Sequence, residues 1–537
     1  MTGRPPELAI DTCARRLRAL DAGDLARPEI SWHGPTRFPA TRPASEATIQ
    51  AMCGLMEVHG RDQRAPRRLG LEVASVAAGI VAAQGALAAA ITGRRQVRTS
   101  VLEAGLVLLS HYFVVATGLG DALPGPPLPA PGPPFRAAGG EWFEIETLDA
   151  ESWKAFWTAL GAAGPDLGRA WHVFRLRYER ATCSLPHRLH DATASRSLDE
   201  LGRVAAATGV SMTPLRSYAE VLADRPVDRA TVQARGDGTP RPARQPTGEL
   251  PLTGIRMVEA TSRIQGPFAG MLLRMLGMDV VRVQPPEGDY GRAAVTLHRG
   301  KDAMQLDLGS GADRARLADL VSGADVFLHN WRPGKAAEWG LEFEDLARRR
   351  PGLVYASLSG WGDRPDVGHL LGTDFLVQAY AGLGQGLNPE GEPPFPSRVI
   401  LCDLFGALLA AEGVLAGLYR RAQTGQAQDV RSSLLAGAMA LQAHVLDDLA
   451  PRRPVWGPLD RPLATAEDYL MADDPTAIAG HLRERKAADC EEELLAAGIP
   501  AAVVCDDLAT LPRDPRLSDL FEPVGGGFAP RSPWSFT

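Results

Sequence analysis

The sequence predicts an α/β protein that contains an internal duplication. Between residues 254 and 360, short apolar runs alternate with helical stretches, the pattern of a parallel sheet covered by helices on both faces. Two further segments, which begin at Ala47 and Phe375, share the same order of Gln, Gly and Thr-Gly residues. These two observations set the fold class as α/β with a partial second copy.

Five strands are predicted in the alternating region: GIRMVEA at 254–260, DVVRVQ at 279–284, AMQLDL at 303–308, DVFLHN at 325–330 and LVYASLSG at 353–360. Helices are predicted between them, from Pro267 to Leu276, from about Ala312, and from about Gly334 to Arg350. Ligands of such sheets bind where the carboxyl ends of the strands meet helix N-termini.

The duplication is visible in paired residues that keep one constant offset. Gln50 pairs with Gln378, and Gly85 pairs with Gly413. The copies are unequal, because the second carries the long αβ region before Gly372, whereas the first has only a short stub there. We therefore expect one complete copy and one reduced copy.

Composition excludes several classes of protein. Of the chain's 537 residues, 45% are hydrophobic and 23% are charged, a composition that excludes a wholly disordered chain. The formal charge of −7 gives no general sign of binding to nucleic acids or membranes. Its six cysteines form no CxxC pair, which argues against a structural zinc site or a disulfide scaffold. The N-terminus lacks a secretory apolar core, so we expect a cytoplasmic protein with reduced thiols.

The stretch Val73 to Ile91 is nearly uncharged and long enough to span a membrane. It consists mostly of Ala and Gly, and its counterpart in the second copy contains Asp403 and Glu412. We therefore interpret both stretches as buried helices.

The segment RVILCDLFGALLAAEGVLAGLYRR, residues 398–421, contains the most informative side chain. Asp403 stands where an apolar run becomes a long apolar helix. An aspartate at that point can be an ordinary N-cap. It can also be a carboxylate held ionised by the helix N-terminus, which could attack an activated acyl carbon. Spacing alone leaves both readings open.

Six segments of the second copy resemble the class III CoA-transferase family of the CaiB/BaiF type, which includes formyl-CoA:oxalate and carnitine CoA-transferases and the related α-methylacyl-CoA racemases. The resemblance is collinear over roughly residues 252–450 and weaker over 451–523. The segments are TSRIQGPFAGMLLRMLGMDVVRVQPPEGD, RGKDAMQLDL, ADVFLHNWRPGKAAEWGL, GLVYASLSGWG, GTDFLVQAYAGL and DLFGALLAAEGVLAGLYRRAQTGQAQDV.

The resemblance implies a Rossmann-like large domain and a small α+β domain, in an internally duplicated pseudo-dimer. Residues 1–225 are then a degenerate copy that lacks most of the nucleotide-binding half, and 226–250 a flexible linker. Residues 251–450 are the large domain, and 451–537 a shortened small domain and tail. Further homodimerisation stays open.

The resemblance also assigns site residues. Asp403 matches the aspartate nucleophile, and Asp374 matches an acidic residue near the active site. CoA or acyl-CoA enters as substrate, a carboxylic acid is the second substrate, and no metal is needed. The residues expected to contact CoA are Arg263, Ile264, Gln265, Lys301, Asn330, Trp331, Arg332 and Lys335.

Departures from the family pattern separate the two copies. In the first copy Ser75 occupies the position of Asp403, and Glu46 that of Asp374, so we expect this copy to be catalytically inactive and to act as a built-in partner. The glycine-rich loop that covers some transferase sites is replaced by PGPPLPAPGPPF in the first copy and PVWGPLD in the second. Thr373 stands where racemases carry His.

Three functions follow from these residues. The first is a CoA-transferase that uses Asp403 as a covalent nucleophile. The second is an acyl-CoA isomerase, racemase or lyase that uses Asp403 and Asp374 as acid–base groups. The third is a non-catalytic protein that binds CoA or an acyl carrier.

Overall fold

A computed structural model describes the chain except for residues 1–4, 40, 94–95, 119–127, 129, 225, 227–228, 236–247, 287, 289–290, 292–293, 390–391, 449–459, 479–481 and 537. Residues 124–127 and 129 of the Pro-rich segment PGPPLPAPGPPF lie outside the described residues, and PVWGPLD lies outside them except for Asp460.

The first half is mostly helical. Its helices are α1 Glu7–Ala19, α2 Glu46–Cys53, α3 Leu55–Gly60, α4 Val73–Thr92, α5 Val101–Leu108, α6 Ser110–Gly118, α7 Ala150–Ala159, α8 Leu167–Arg180, α9 His187–Ala194, α10 Leu198–Thr208 and α11 Tyr218–Ala223. Its strands are β1 Glu29–Ser31, β2 Val97–Ser100, β3 Ala130–Pro131, β4 Phe135–Arg136, β5 Trp142–Glu146, β6 Ser184–Leu185, β7 Ser211–Pro214 and β8 Thr231–Arg235.

The second half alternates strands and helices. Its strands are β9 Arg256–Ala260, β10 Asp279–Gln284, β11 Asp302–Gln305, β12 Val326–His329, β13 Val354–Ser359, β14 Ala427–Ser433, β15 Leu463–Ala464, β16 Tyr469–Ala472, β17 Ala501–Val503, β18 Phe521–Val524, β19 Gly527–Pro530 and β20 Ser535–Phe536. Its helices are α12 Gln265–Met275, α13 Ala294–Leu297, α14 Gly311–Ser322, α15 Lys335–Trp339, α16 Phe343–Arg349, α17 Asp374–Tyr380, α18 Leu383–Leu387, α19 Leu401–Thr424, α20 Leu434–Asp448 and α21 Ala487–Ala496.

A large, mainly parallel sheet confirms the predicted α/β class. Its strands run in the order β11-β10-β9-β12-β13-β14-β8, and every neighbouring pair is parallel except β14 with β8. The structure differs from the sequence prediction in two places. The helix expected from Gly334 to Arg350 is two helices, because Gly340 takes a left-handed backbone conformation between them. The expected linker 226–250 contains β8, which is paired throughout.

Each half lends one strand to the sheet of the other. β1 and β2 pair in parallel, and β20, from the end of the chain, adds to β2 in the antiparallel direction. The same arrangement occurs in the large sheet, where β13 and β14 are parallel and β8 adds antiparallel to β14. The two halves are therefore interlocked by their C-terminal strands.

Two long apolar helices, α4 and α19, pack against each other in one shared hydrophobic core. By length and composition each could cross a membrane, yet 89% and 100% of their most apolar stretches are buried within the protein. Gln84 on α4 donates to the Leu408 carbonyl at 2.7 Å. Arg16 on α1 pairs with Glu412 on α19, its Nε lying 3.0 Å from Oε1. The core thus joins the halves by polar contacts as well as apolar ones.

Each half also carries a smaller module. In the first half, β4, β5 and β7 form a sheet with α7 to α10 around an aromatic core that contains Trp153, Trp157 and Phe174. In the second half, β15, β16 and β17 pack against α21 around a smaller core. The first-half module packs β5 and β7 against α17, which brings it next to the start of α19.

Candidate active site

Asp403 lies in the first turn of α19 and is only 8% exposed. Its carboxylate accepts a hydrogen bond from the backbone N–H of Gln265, and its own backbone N–H donates to Asp374 Oδ2 at 2.8 Å. Burial raises the pKa of Asp403 to about 6, while the nearby Arg263 guanidinium acts in the opposite direction. The carboxylate is therefore ionised at neutral pH although it is largely buried.

Asp374 and Gln378, one turn apart on α17, hold the segment that leads into α19. Gln378 Nε2 donates to Asp374 Oδ1 at 2.5 Å and to the Ser397 and Val399 carbonyls at 3.2 and 3.1 Å. Burial and the charge of Asp403 raise the pKa of Asp374 well above its usual range. The structure brings the two predicted catalytic residues together, but the contact runs from the Asp403 backbone N–H, and not from its carboxylate, to the Asp374 carboxylate.

The first half contains the same arrangement without the second carboxylate. Glu46 Oε2 accepts from the Ser75 backbone N–H at 2.8 Å and from the Ser75 hydroxyl at 2.7 Å. Gln50 Nε2 donates to Glu46 Oε1 at 3.0 Å and to the Leu69 and Leu71 carbonyls at 3.2 and 2.9 Å. We call each acid–glutamine pair a helix clamp, since it holds the segment before α4 or α19.

The loop before α12 is held next to Asp403 by a neighbouring strand. Asn330 Nδ2 donates to the Ser262 carbonyl at 2.8 Å, and its Oδ1 accepts from the Ser262 N–H at 3.0 Å. Arg263 follows with a φ of +67°, a left-handed conformation that is rare outside glycine. Ile264 lies in the apolar core and is 7% exposed, and its expected contact with CoA stays a prediction.

Gln265 has a buried side chain whose Nε2 has no hydrogen-bond partner among the described residues. This amide points toward Gly406, one turn after Asp403, where a Cβ atom would stand only 2.8 Å from Nε2. Ser433 lies on the same side of Gly406, since this Cβ would also stand 3.2 Å from the Ser433 carbonyl oxygen. An unused donor therefore lies beside the candidate nucleophile.

A cavity of about 590 Å³ opens on the side of the sheet where β12, β13 and β14 end. Trp331 and Arg332 line it, and so does Ser433. His329 packs against Trp331, with ring centroids 4.5 Å apart. Burial lowers the pKa of His329 to about 3. Asp403 is not among the described residues that line this cavity.

The two predicted lysines have different surroundings. Lys301 Nζ is fully buried and lies 2.8 Å from both Glu259 Oε2 and the Pro267 carbonyl. The expectation that Lys301 contacts a CoA phosphate is therefore not met in this structure, because its ammonium is enclosed by protein partners. Lys335 is partly exposed and pairs with Glu338 at 2.7 Å, close to the rim of the cavity.

The first-half module supplies residues that the sequence did not single out. Tyr178 on α8 donates to Glu146 on β5, and its ring lies 5.3 Å from the Arg263 guanidinium carbon. Arg177 is fully buried and donates to Glu144 at 3.0 Å and to Glu146 at 3.1 Å. Acidic residues alternating with apolar ones in WFEIE were the available signal, since buried carboxylates need a partner.

Comparison with known proteins finds one family twice. The model of CoA-transferase family III matches residues 29–248 and again residues 252–479. An acetyl-CoA:oxalate CoA-transferase of Acetobacter aceti is 27% identical over 344 residues, which are 53% of this chain and 88% of that protein.

Other relatives are matched over a shorter part of their length. A succinyl-CoA:glutarate CoA-transferase of Mus musculus is 30% identical over 42% of this chain and 55% of that protein. A succinyl-CoA:mesaconate CoA-transferase of Haloarcula hispanica is 32% identical over 35% of this chain and 53% of that protein. The chain thus spans about half the length of these two relatives. A CAIB/BAIF family protein from Brucella suis matches with a TM-score of 0.48 and 23% identity, over 53% of this chain and 92% of that one.

Proposed function

Because the chain belongs to CoA-transferase family III, we propose that it moves CoA from an acyl-CoA to a carboxylic acid through a covalent intermediate on Asp403. The observation that supports this most directly is the placement of Asp403. Its carboxylate lies in the first turn of a buried helix, keeps 8% exposure, and is adjacent to the unused amide of Gln265. A desolvated carboxylate is a stronger nucleophile than a hydrated one, and the amide can donate to a developing oxyanion.

The reaction balances without any further reagent. The Asp403 carboxylate attacks the thioester carbonyl, the C–S bond breaks, and CoA leaves as a thiolate, so that a mixed anhydride of Asp403 and the donor acyl group is formed. The thiolate then attacks the aspartyl carbonyl, which releases the donor acid and leaves an aspartyl-CoA thioester. An acceptor carboxylate attacks this thioester, and the returning thiolate takes the acceptor acyl group, which frees Asp403. Each step exchanges one activated acyl group for another.

The cavity beside Trp331 and Arg332 is where we place CoA. It opens at the carboxyl ends of the parallel strands, the usual ligand position in such sheets. Arg332 is exposed and forms no ion pair with any described residue, so its charge is available to a phosphate group. The wall at Ser433 lies against Gly406, one turn from Asp403. We therefore place the thioester end of the substrate on the Ser433 side.

The first half takes the role of a second subunit in this proposal. The reciprocal strands β8 and β20 join the halves as two interlocked copies, which supports an intramolecular pseudo-dimer. The helix clamp of the first half holds Ser75, whose hydroxyl donates to Glu46. A serine there cannot form the acyl anhydride, so we assign catalysis to the second half alone.

Acid–base isomerisation is the rival enzymatic function. It requires a second group that can exchange a proton with the substrate. Asp374 is fully buried, and its two oxygens accept from Gln378 and from the Asp403 backbone. This arrangement favours a positioning role for Asp374 over proton exchange.

Covalent trapping tests the proposal. The protein is incubated with a set of acyl-CoA donors and treated with hydroxylamine or borohydride, and the modified peptide is identified by mass spectrometry. We expect modification of Asp403, loss of modification in Asp403→Asn, and retention in the first-half variant Glu46→Gln. Deuterium uptake at the α-carbon without acyl exchange would support the isomerase instead. Tight CoA binding with no adduct and no turnover would support the non-catalytic alternative.

A further inference from the structure

Arg263 is held in place by the first half of the chain. Its backbone is in the left-handed region, at φ +67°. The guanidinium carbon lies 5.3 Å from the ring centre of Tyr178, a cation–π distance. The Tyr178 ring also packs against Phe375, the residue directly after Asp374, at a centroid distance of 4.9 Å, and the Arg177 guanidinium carbon lies 5.7 Å from the same ring. Tyr178 therefore contacts both segments that hydrogen-bond to Asp403.

A buried ionic network fixes Tyr178. Its hydroxyl donates to Glu146, which also accepts from Arg177 Nη2 at 3.1 Å. Arg177 Nη1 donates to Glu144 at 3.0 Å, and Nη2 reaches the Ile145 carbonyl at 3.2 Å. The guanidinium of Arg177 also lies 4.5 Å from the Phe375 ring. A ring held by so many partners can act as a rigid platform.

We propose that Tyr178 is a positioning residue which the first half supplies to the reaction of the second half: its ring holds the Arg263 guanidinium beside the Asp403 carboxylate. The inference rests on the proposed function and extends it. The inactive copy then does more than complete the fold, since it sets the charge environment of the nucleophile.

Two opposite charges near Asp403 make the idea testable. Arg263 favours the ionised form of Asp403, and Glu146 opposes it, as the pKa of Asp403 reflects. The titratable and charged groups that face Asp403 from the surrounding elements are Asp374 on α17, Cys402 on α19, Arg263 before α12, Tyr112 on α6 and Glu146 on β5. Substitution of Arg263 removes the favourable charge, and substitution of Tyr178 removes the ring that supports it.

The experiment measures how the rate of Asp403 modification by an acyl-CoA and hydroxylamine depends on pH. We expect Arg263→Gln and Tyr178→Leu to move the midpoint to higher pH by on the order of one unit. Tyr178→Phe keeps the ring and should restore most of the wild-type midpoint. Glu146→Gln should move the midpoint to lower pH. If these residues had only a structural role, the substitutions would lower the adduct yield. They would not raise the pH midpoint in Arg263→Gln and Tyr178→Leu and lower it in Glu146→Gln.

The matched control is Arg175→Gln, on the same helix as Tyr178. Arg175 is exposed and lies 5.9 Å from the Trp171 ring, so the change also removes a cation from an aromatic face of α8. Its midpoint should equal that of the wild type. If Tyr178→Leu fails to fold, Tyr178→Met, which keeps the bulk of the side chain without the ring, takes its place, and Arg263→Gln tests the charge alone, because Arg263 is exposed on a loop.

Two failures are distinguishable. An adduct on Asp403 whose pH midpoint is the same in wild type, Arg263→Gln and Tyr178→Leu would overturn this inference and leave the proposed function standing. Absence of any adduct in the wild type at every pH would instead overturn the proposed function.

Discussion

Replacing the candidate nucleophile should stabilise the protein at neutral pH. In the folded state burial raises the pKa of Asp403 from 3.8 to about 6. Between these values the folded chain keeps a proton that the unfolded chain has released, so stability falls as pH rises through this window. Asp403→Asn has nearly the same shape as the protonated side chain and carries no charge at any pH.

The size of the effect follows from the same numbers. One unit of pKa corresponds to about 1.4 kcal/mol. A carboxyl whose pKa rises from 3.8 to about 6 therefore lowers the free energy of unfolding by about 3 kcal/mol above pH 6. We expect Asp403→Asn to exceed the wild type by up to this amount at pH 7.5 and to match it near pH 4. Such a gain is typical when a site keeps a group for activity at a cost to stability.

Urea unfolding, followed by tryptophan fluorescence at pH 4, 5.5 and 7.5, provides the measurement. Asp319→Asn is the control, because Asp319 is 76% exposed at its side chain and pairs only with a surface arginine. This control should change the free energy of unfolding by less than about 1 kcal/mol at all three pH values. A variant at Asp403 that is less stable than the wild type at pH 7.5, or whose difference does not vary with pH, would refute the reasoning.

Three further predictions concern the clamps, the buried lysine and the chain end. Asp374→Asn and Glu46→Gln each place an amide NH₂ against backbone donors, so each should lower the free energy of unfolding by about 1.5–3 kcal/mol. Only Asp374→Asn should slow CoA transfer, by on the order of 100-fold. Urea unfolding and steady-state kinetics measure the two effects, and an equal loss of rate in both variants would contradict the prediction. Lys301→Met leaves a buried carboxylate unpaired and should cost about 3–5 kcal/mol, while the salt dependence of CoA affinity, measured by calorimetry, should stay unchanged. Trp534, directly before β20, has a buried indole that donates to the Val81 carbonyl at 2.7 Å. Trp534→Ala should lower the free energy of unfolding in urea by about 3–5 kcal/mol. A loss smaller than that of a substitution at an exposed residue would show that β20 does not fasten the halves.

The sheet was largely predictable because its strands are short apolar runs with helical stretches between them. DVVRVQ matches β10 residue for residue, and the other four runs overlap their strands. The break at Gly340 was not predicted, because the apolar spacing continues across it and only the left-handed backbone shows the helix end. Strand β8 was missed as well, since its exposed polar residues resemble a linker and only pairing with β14 gives them an ordered place.

Local sequence alone singled out one residue of the site, Asp403, at the start of an apolar helix. Asp374 lies 29 positions earlier, and the family resemblance paired it with Asp403. Lys301 was misjudged, because its partner Glu259 lies on another strand and the sequence does not show that the ammonium is enclosed. Tyr178 lies far along the chain from Arg263, and its role follows from the way the first-half module packs on α17.

The paired helix clamps separate what the fold requires from what the chemistry requires. The start of both α4 and α19 is held from a neighbouring helix, α2 or α17, by an acid that accepts from backbone N–H groups and by a glutamine that ties down the preceding segment. Buried helix N-termini leave donors that must be satisfied, so this part is needed whether or not the helix bears a nucleophile. The first clamp ends in a serine, Ser75, whose hydroxyl is bound to Glu46. The second ends in Asp403, whose backbone N–H the clamp uses and whose carboxylate it leaves free of Asp374 and 8% exposed. A carboxylate that the clamp does not need is therefore the structural reason to assign the chemistry to the second half.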